Sequence, residues 1–211
     1  MIPIVQPFLT IILADGAFPQ HSIPLEFLKK ADRIVCCDGS AEKLLKYGIQ
    51  PTYIVGDMDT LSEELKTRYA SIIHFNPDQE TNDLTKAVQF CKSRGWNDIT
   101  ILGASGNRED HLLGNLSLLT DYAENVQVQL FSDYGSFVPQ LANEIEYESY
   151  PGEQVSIFSL NPEAKFISKN LRYPLDNRTF TSWWQGTLNE AVSDSFAITI
   201  DGGKALLFRE Y

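Results

Sequence analysis

The chain has 211 residues, of which 43% are hydrophobic, which suffices for one large or two small globular domains with a real core. Its net charge of −11 argues against a nucleic-acid polymer as partner, because no basic stripe is present to follow phosphates. No stretch approaches the roughly 20 apolar residues that would span a bilayer, so we expect no membrane association.

The first two thirds of the chain alternate between short apolar runs and segments with helical spacing. This alternation predicts an α/β fold with a mostly parallel sheet that helices cover on both faces. The clearest helix carries Leu84, Ala87, Val88 and Cys91 at positions i, i+3, i+4 and i+7. The predicted strands are Phe8–Leu13, Arg33–Cys37, Tyr53–Val55, Ile72–Phe75 and Ile99–Leu102, and the predicted helices are Ser40–Tyr47, Asn82–Ser93 and Glu109–Ala123, the last with Leu112, Leu113, Leu116 and Leu119 on one face.

From about residue 133 the helical spacing disappears, and short runs rich in β-branched and aromatic residues are separated by turn residues. We therefore expect an α/β domain over residues 1–133 and an all-β domain, a sandwich, over residues 134–211. The Gly202-Gly203 pair predicts a hairpin between the last two runs. The predicted strands of this part are Gln154–Leu160, Phe196–Ile200 and Ala205–Phe208.

Two features of the sequence bear on its compartment. The apolar run near the start has no basic segment before it and breaks at Asp15-Gly16, so we interpret it as a buried strand rather than a signal peptide. The three cysteines form an odd set without metal-ligand spacing. Buried free thiols in a reducing cytosol are the expected state, which predicts a cytoplasmic protein.

The stretch VGDMDT places Asp57 and Asp59 directly after an apolar run. In an extended segment both carboxylates would point the same way, with Met58 turned inward. Two like charges about 4 Å apart repel by about 4 kcal/mol near a protein surface, and a magnesium ion, which prefers hard oxygen ligands, would reverse that repulsion. The alternative is that one aspartate caps a helix that starts near Ser62 while the other is solvated.

The loop Pro77–Asp83 is densely acidic and also follows a predicted strand. Asp83 opens the clearest helix, where the helix dipole favours a carboxylate, with Asn82 or Thr81 as the N-cap. Lys86 lies one turn further on and could reach a phosphate. The loop is therefore open to a structural and to a functional interpretation.

Two further loops suit phosphate binding. Gly103–Asp110 is punctuated by glycines between a strand and a helix, an arrangement that brings backbone N–H groups close to phosphates. Arg108 in that loop supplies a cationic fork for phosphate oxygens. The pair Gly39-Ser40 after Asp38 could bind phosphate or ribose, although Ser40 is equally suited to be a plain N-cap.

The ordered motifs DGS, GDMDT, PDQETNDLTKA and GASGNREDH resemble those of the thiamine pyrophosphokinase family. The resemblance is strong from Asp15 to about Leu119 and weaker in the β-rich part. It implies an N-terminal Rossmann-like α/β/α domain, a C-terminal β-sandwich, and a homodimer with active sites at the subunit interface. The implied reaction is pyrophosphoryl transfer, in which ATP and thiamine give thiamine diphosphate and AMP.

The resemblance also implies roles for individual residues. Mg²⁺ would be the cofactor, ATP the co-substrate, and Arg108 would take part of the negative charge that develops on the phosphates. Because tryptophans in a strand alternate, one of the two tryptophans should belong to the core. The implied magnesium ligands are Asp57, Asp59 and Asp83; the implied nucleotide-binding residues are Asp38, Gly39, Ser40, Lys86, Gly103, Ser105, Gly106, Arg108 and Asp110; the implied thiamine-binding residues are Gln79, Asn82, Trp183, Trp184 and Asn189.

The sequence departs from the family pattern at two positions. Asn82 stands where the family usually has threonine, and Leu188 stands where it usually has serine. Both positions concern the thiamine side rather than the metal side. Two other functions stay open on the same residues: a magnesium-dependent nucleotide phosphohydrolase, and a non-catalytic module that binds thiamine or a nucleotide.

Overall fold

The computed structural model describes residues 9–141 and 143–211, and the chain divides into two compact units. Of the described residues, the first unit comprises those up to Leu116 together with Asn125–Asp133, and the second comprises Ser117–Glu124 and those from Tyr134 to Tyr211. The predicted first strand reaches back to Phe8, which lies outside the described residues. Within the described ranges, none of the helices combines the length and the apolar character that a membrane crossing requires.

The first unit contains six strands in which every pair of sheet neighbours is parallel, with the order β6-β5-β1-β2-β3-β4. All residues of β1 are buried, as expected for a strand covered on both faces. The predicted strands are confirmed here, whereas β6 was not predicted. The strands are β1 Thr10–Leu13, β2 Arg33–Cys37, β3 Tyr53–Gly56, β4 Ile73–Phe75, β5 Asp98–Leu102 and β6 Gln127–Phe131.

Helices follow the strands as the alternation predicts. The inward positions of α4 are all buried, which confirms the spacing found in the sequence. The prediction for α5 is wrong at Leu113, whose side chain is 52% exposed, because it lies about 120° around the helix from buried Leu119. The helices are α1 Ser22–Lys30, α2 Ser40–Lys46, α3 Glu63–Arg68, α4 Asp83–Ser93 and α5 Glu109–Ala123.

The second unit is a β-sandwich of antiparallel strands. One sheet has the order β12-β9-β14-β7 and the other the order β11-β10-β13-β8. Both contribute to one apolar core, in which Phe166 and Phe196 from one sheet meet Ile157 and Leu207 from the other. The strands are β7 Gly135–Gln140, β8 Glu144–Glu148, β9 Gln154–Ser159, β10 Lys165–Lys169, β11 Arg178–Thr179, β12 Asn189–Glu190, β13 Ser195–Asp201 and β14 Ala205–Glu210.

The hairpin predicted at Gly202-Gly203 is wrong. Strands β13 and β14 are joined by this turn but belong to different sheets, so the turn carries the chain from one sheet to the other. Both glycines have positive φ, 78° and 103°. A Cβ on Gly203 would lie 2.6 Å from the side chain of Asn161, which accepts a hydrogen bond from the backbone N–H of Lys204. The glycines therefore serve a sheet-crossing turn.

Candidate active site

The carboxyl ends of β1 to β5 border a cavity of about 620 Å³ in the first unit. Open parallel sheets bind ligands at this edge, and the volume is in the range of cofactor and small-molecule sites. The sequence-predicted residues that line it are Asp38, Asp57, Gln79, Asn82, Asp83, Lys86, Ser105, Arg108 and Asp110. The lining does not include Gly39, Ser40, Asp59, Gly103 or Gly106.

A cluster of three carboxylates, from Asp38, Asp57 and Asp59, lies at this edge. One oxygen from each lies within 4.8 Å of the others. Asp57 and Asp59 converge as predicted, and Met58 is buried between them. The reason differs from the predicted extended segment: Met58 has a φ of 64°, in the left-handed region, and the N–H of Asp59 donates to Oδ1 of Asp57 over 3.3 Å. A tight turn therefore aims both side chains at the cluster.

Asp38 is the buried member of the cluster, with 2% of its surface exposed. Its Oδ2 accepts the N–H of Thr60 over 3.1 Å, while its Oδ1 is buried and has no hydrogen-bond partner within the described ranges. Burial is the main cause that raises the pKa of this carboxyl above its usual value, and nearby Asp59 and Asp83 add to it. A divalent cation would supply the missing partner and offset the repulsion, so the cluster fits Mg²⁺.

Asp57 is oriented by Gln79, whose side-chain N–H donates to Oδ2 of Asp57 over 2.9 Å. This hydrogen bond is the main cause that lowers the pKa of Asp57 below its usual value. The predicted thiamine-site residue Gln79 is thus attached to a predicted metal ligand at the cavity wall. The alternative in which an aspartate of VGDMDT caps the next helix is wrong, because Ser62 caps α3 with its own hydroxyl.

The start of α4 brings Asp83 and Lys86 into the cavity. The side chain of Asn82 accepts the N–H of Thr85 over 2.8 Å, which confirms Asn82 as the N-cap. Nζ of Lys86, almost fully buried, donates to Oδ1 of Asp83 over 3.0 Å. A Cβ on Gly56 would lie 3.1 Å from Asp38 and 3.3 Å from Asp83, so this glycine lets the two aspartates approach each other. Asp83 lies beside the three-carboxylate cluster, with its charge compensated by Lys86.

The glycine-rich loop and the start of α5 form another wall. Gly103 and Gly106 have φ values of 68° and 87°, which few other residues adopt. Arg108 and Asp110 form a two-fold contact, Nε to Oδ1 at 3.0 Å and Nη2 to Oδ2 at 2.5 Å. The guanidinium lowers the pKa of Asp110 to about 2. Arg108 is therefore oriented at the mouth of the cavity by a carboxylate that stays ionised.

Gly39 and Ser40 have structural contacts instead of facing the cavity. The buried hydroxyl of Ser40 donates to the carbonyl of Leu13 over 2.7 Å, and no side chain caps α2. The N–H of Gly39 donates to the hydroxyl of Thr60 over 3.0 Å. These two bonds attach the start of α2 to the ends of β1 and to the turn after β3.

Asp15 lines the cavity and was not predicted as a site residue. It lies two residues after the end of β1, so the position after a strand that indicates Asp57 would also have indicated Asp15. Its carboxylate binds Lys43 of α2 at 2.8 Å. In the sequence, Asp15-Gly16 indicates only the end of the first strand.

In the second unit, the prediction that one tryptophan of the pair is a core residue is wrong. Trp183–Gly186 is a 3-10 turn rather than a strand, and Trp183 and Trp184 are 42% and 73% exposed. Trp183 is anchored, because its indole N–H donates to the carbonyl of Ser159 over 3.1 Å and its ring packs edge-on against Phe158. Trp184 presents most of its ring to solvent.

Asn189, the third predicted residue of this unit, uses its side chain to hold a neighbouring loop. Its Oδ1 accepts the N–H of Tyr173 over 3.1 Å and that of Glu190 over 2.9 Å, and its Nδ2 donates to the carbonyl of Tyr173 over 2.8 Å. Its neighbour Leu188 is 72% exposed and has a φ of 59°. The exposed apolar surface here is thus supplied by Trp184, Tyr173 and Leu188.

The parallel strands with carboxylates at their ends and the β-sandwich place the chain in the class of two-unit α/β proteins with an acidic strand-end site. The model of the thiamin pyrophosphokinase catalytic domain matches residues 25–130, and that of the thiamin pyrophosphokinase substrate-binding domain matches residues 135–208. The chain belongs to the thiamine pyrophosphokinase family, which is a family of enzymes.

Individual relatives agree with this assignment. Thiamine pyrophosphokinase 1 of Oryza sativa subsp. japonica is 30% identical over 70% of this chain and 67% of that protein. Thiamine pyrophosphokinase of Bacillus subtilis (strain 168) is 28% identical over 66% of this chain and 69% of its own length. The crystal structure of thiamin pyrophosphokinase from Geobacillus thermodenitrificans has a TM-score of 0.79 and 22% identity, with 96% of this chain and 97% of that chain covered, which confirms the fold.

Proposed function

We propose that this chain transfers the pyrophosphoryl group of ATP to the hydroxyl group of thiamine and releases AMP. The hydroxyl oxygen forms a bond to the β-phosphorus, the bond from that phosphorus to the oxygen of the α-phosphate breaks, and the hydroxyl proton leaves to solvent. The observation that carries the proposal is the cluster of Asp38, Asp57 and Asp59, which lies at a cavity of suitable size in a chain of this family. Such a transfer needs alignment and charge neutralisation more than covalent help.

The metal site is the first part of the proposal. Asp38, Asp57 and Asp59 would hold Mg²⁺, which when bound screens the phosphate charges and so lets an acidic protein take a nucleotide. The buried Oδ1 of Asp38, which has no partner among the described residues, supports its inclusion beside the sequence-predicted ligands. Asp83 stays a predicted ligand through Oδ2, since its contact with Lys86 uses Oδ1.

The nucleotide site is the second part. Lys86 and Arg108 would neutralise phosphate oxygens that the metal does not reach, and the backbone of the glycine-rich loop would donate to them. Both cations are already placed by carboxylates, Asp83 and Asp110, so little side-chain freedom is lost when the ligand binds. The full proposed set is Asp38, Gly39, Ser40, Lys86, Gly103, Ser105, Gly106, Arg108 and Asp110, in which Gly39 and Ser40 act through the position of α2.

Thiamine is a cation with two aromatic rings, which suits an acidic site and an aromatic surface. Gln79 and Asn82 line the cavity, and Trp184 offers an exposed ring in the β-sandwich. We propose residues 1–133 as the nucleotide-binding part and residues 134–211 as the thiamine-binding part. The proposed thiamine contacts are Gln79, Asn82, Trp183, Trp184 and Asn189, the last through the loop that it holds.

A homodimer with active sites at the subunit interface and a cytoplasmic location complete the proposal. The exposed apolar side chains Trp184, Leu188 and Tyr173 support a surface that a substrate or a second copy covers. Three buried free thiols are in keeping with a reducing compartment.

The test identifies which nucleotide is formed from ATP. The purified chain is incubated with ATP and Mg²⁺, with and without thiamine, and the nucleotides are separated. We expect AMP to appear in equal amount with thiamine diphosphate, and neither without thiamine or with excess chelator. Thiamine-dependent ADP would identify a simple kinase, thiamine-independent phosphate would identify a hydrolase, and binding without turnover would identify a binding module; each would overturn the proposal.

A further inference from the structure

Lys43 on α2 contacts two residues of the loop that follows β1. Its ammonium group lies 2.8 Å from Oδ1 of Asp15, 3.0 Å from the carbonyl oxygen of Asp15 and 2.8 Å from the carbonyl oxygen of Gly16. A lysine ammonium has three N–H donors, and these three contacts use all of them. Lys43 therefore has no donor left for a ligand, and its charge is matched by Asp15.

Helix α2, which carries Lys43, is held in place by its packing. Ala41 and Leu44 of α2 are fully buried in the core of the first unit, and Ser40 bonds to the end of β1. The position of the ammonium is thus set by the packing of α2. The Lys43 ammonium holds the Asp15–Gly16 loop through two carbonyl oxygens and a carboxylate. Without the cation these negatively polarised groups would repel one another.

The loop that Lys43 holds is joined closely to the glycine-rich loop. The N–H of Gly16 donates to the carbonyl of Gly103 over 2.7 Å, and the N–H of Ala17 donates to that of Ser105 over 2.8 Å. A Cβ on Gly16 would lie 2.4 Å from the Gly103 oxygen and 2.6 Å from the Ser105 oxygen. The two loops are therefore held in close contact with each other.

Both loops line the cavity, through Asp15 and Gly16 on one side and Ala104 and Ser105 on the other. We propose that Lys43 is a positioning residue for nucleotide binding: by fixing the Asp15–Gly16 loop, it holds the glycine-rich loop in the shape that receives the phosphates. This inference rests on the proposed function and adds a residue to which that function assigns no role.

The test compares three variants of the full chain. Lys43→Met keeps the long apolar stem and removes the charge and the donors, whereas Lys43→Arg keeps a cation and donors. Lys46→Met is the matched control, because Lys46 lies on the same helix in an exposed pair with Glu42. Steady-state AMP release gives KM for ATP, KM for thiamine and kcat, and thermal unfolding reports on the fold.

For Lys43→Met we expect KM for ATP to rise about tenfold, which corresponds to the loss of one charge-assisted set of hydrogen bonds, with kcat and KM for thiamine changed less than about threefold. Lys43→Arg should recover most of the loss, and Lys46→Met should match the wild type. An unchanged KM for ATP in Lys43→Met, or an equal rise in Lys46→Met, would overturn the inference.

A second measurement separates this inference from the proposed function. Calorimetric binding of a non-hydrolysable ATP analogue with Mg²⁺ does not require turnover. If the wild type releases no AMP but binds the analogue, the proposed reaction fails while the positioning role is still tested by the loss of affinity in Lys43→Met. Equal affinity of wild type and Lys43→Met for the analogue would overturn the positioning role, whatever the reaction.

Discussion

The predicted site residues of the two units differ in how far their polar atoms are hydrogen-bonded within the protein. In the first unit, Asp38 is buried with one oxygen that has no partner in the described part of the chain, although two more carboxylates lie close by. In the second unit, the side chain of Asn189 makes three hydrogen bonds to its own neighbours. A buried unpaired charge costs free energy, so its presence indicates a binding site for a ligand that would pair with it. A side chain such as Asn189, which bonds to neighbouring backbone groups, stabilises the fold.

The largest effect should come from the acidic cluster. Asp57→Asn keeps the size of the side chain but removes a charge, and we expect turnover to fall by about a thousandfold because transition-state charge is no longer neutralised. Asp57 is half-exposed, so the unfolding temperature should change little. Glu80→Gln, an exposed acid of the neighbouring loop, is the control and should keep its activity. If the Asp57→Asn enzyme is active, Asp57 is not a ligand of the metal.

The next effect concerns stability in the second unit. Asn189→Ala removes three hydrogen bonds from a nearly buried position, and we expect the free energy of unfolding to fall by about 2 kcal/mol in denaturant titrations. Trp184→Ala, at a 73% exposed ring, should leave stability within about 0.5 kcal/mol and instead raise KM for thiamine. If Asn189→Ala kept full stability and lost only thiamine affinity, the structural role assigned to Asn189 would be wrong.

A smaller change of opposite sign is expected at Asp38. Asp38→Asn removes a buried charge next to Asp59 and Asp83 and keeps an oxygen for the N–H of Thr60, so it should stabilise the free protein by about 1 kcal/mol. The same variant should lose the thermal stabilisation that ATP with Mg²⁺ gives the wild type. Differential scanning calorimetry with and without the ligands measures both. A destabilised Asp38→Asn protein would show that the carboxylate serves the fold.

The smallest signal concerns the thiols. Burial raises the pKa of Cys36 and of Cys91 to about 12, and it raises that of Cys37 as well. At pH 8 about one in ten thousand of the Cys36 and Cys91 thiols would therefore be ionised. A thiol reagent should react with none of the three cysteines in the native protein and with all three in denaturant. Rapid labelling of one cysteine in the folded chain would contradict the buried state.

Much of the first unit could be predicted from the sequence, because its rules are local. Position after a predicted strand indicates Asp57, Asp59 and the acidic loop, whereas Asp38 is indicated by the family resemblance. The helical spacing of α4 indicates its buried face. The grouping of Asp38 with Asp57 and Asp59 could not be predicted, since it depends on left-handed backbone at Asp38 and Met58, with φ of 39° and 64°. A left-handed conformation is uncommon for residues other than glycine, so the sequence pattern does not indicate it at these positions.

The second unit was harder to predict for a physical reason. Alternation along a strand assigns inward and outward faces only where a strand exists, and Trp183-Trp184 lies in a 3-10 turn. A glycine pair likewise predicts a turn but not which sheet the next strand joins, as Gly202-Gly203 shows. Sheet membership depends on contacts distant in sequence, such as that of Asn161 with the backbone of Lys204.

A crystal structure with Mn²⁺ in place of Mg²⁺ and a non-hydrolysable ATP analogue would locate the metal by anomalous scattering. If the three carboxylates hold the metal, a peak should lie about 2.1 Å from oxygens of Asp57 and Asp59 and of a phosphate, with Oδ1 of Asp38 in the same coordination sphere. A nucleotide bound with its metal away from these carboxylates, or carboxylates too far apart to share one ion, would contradict this metal site.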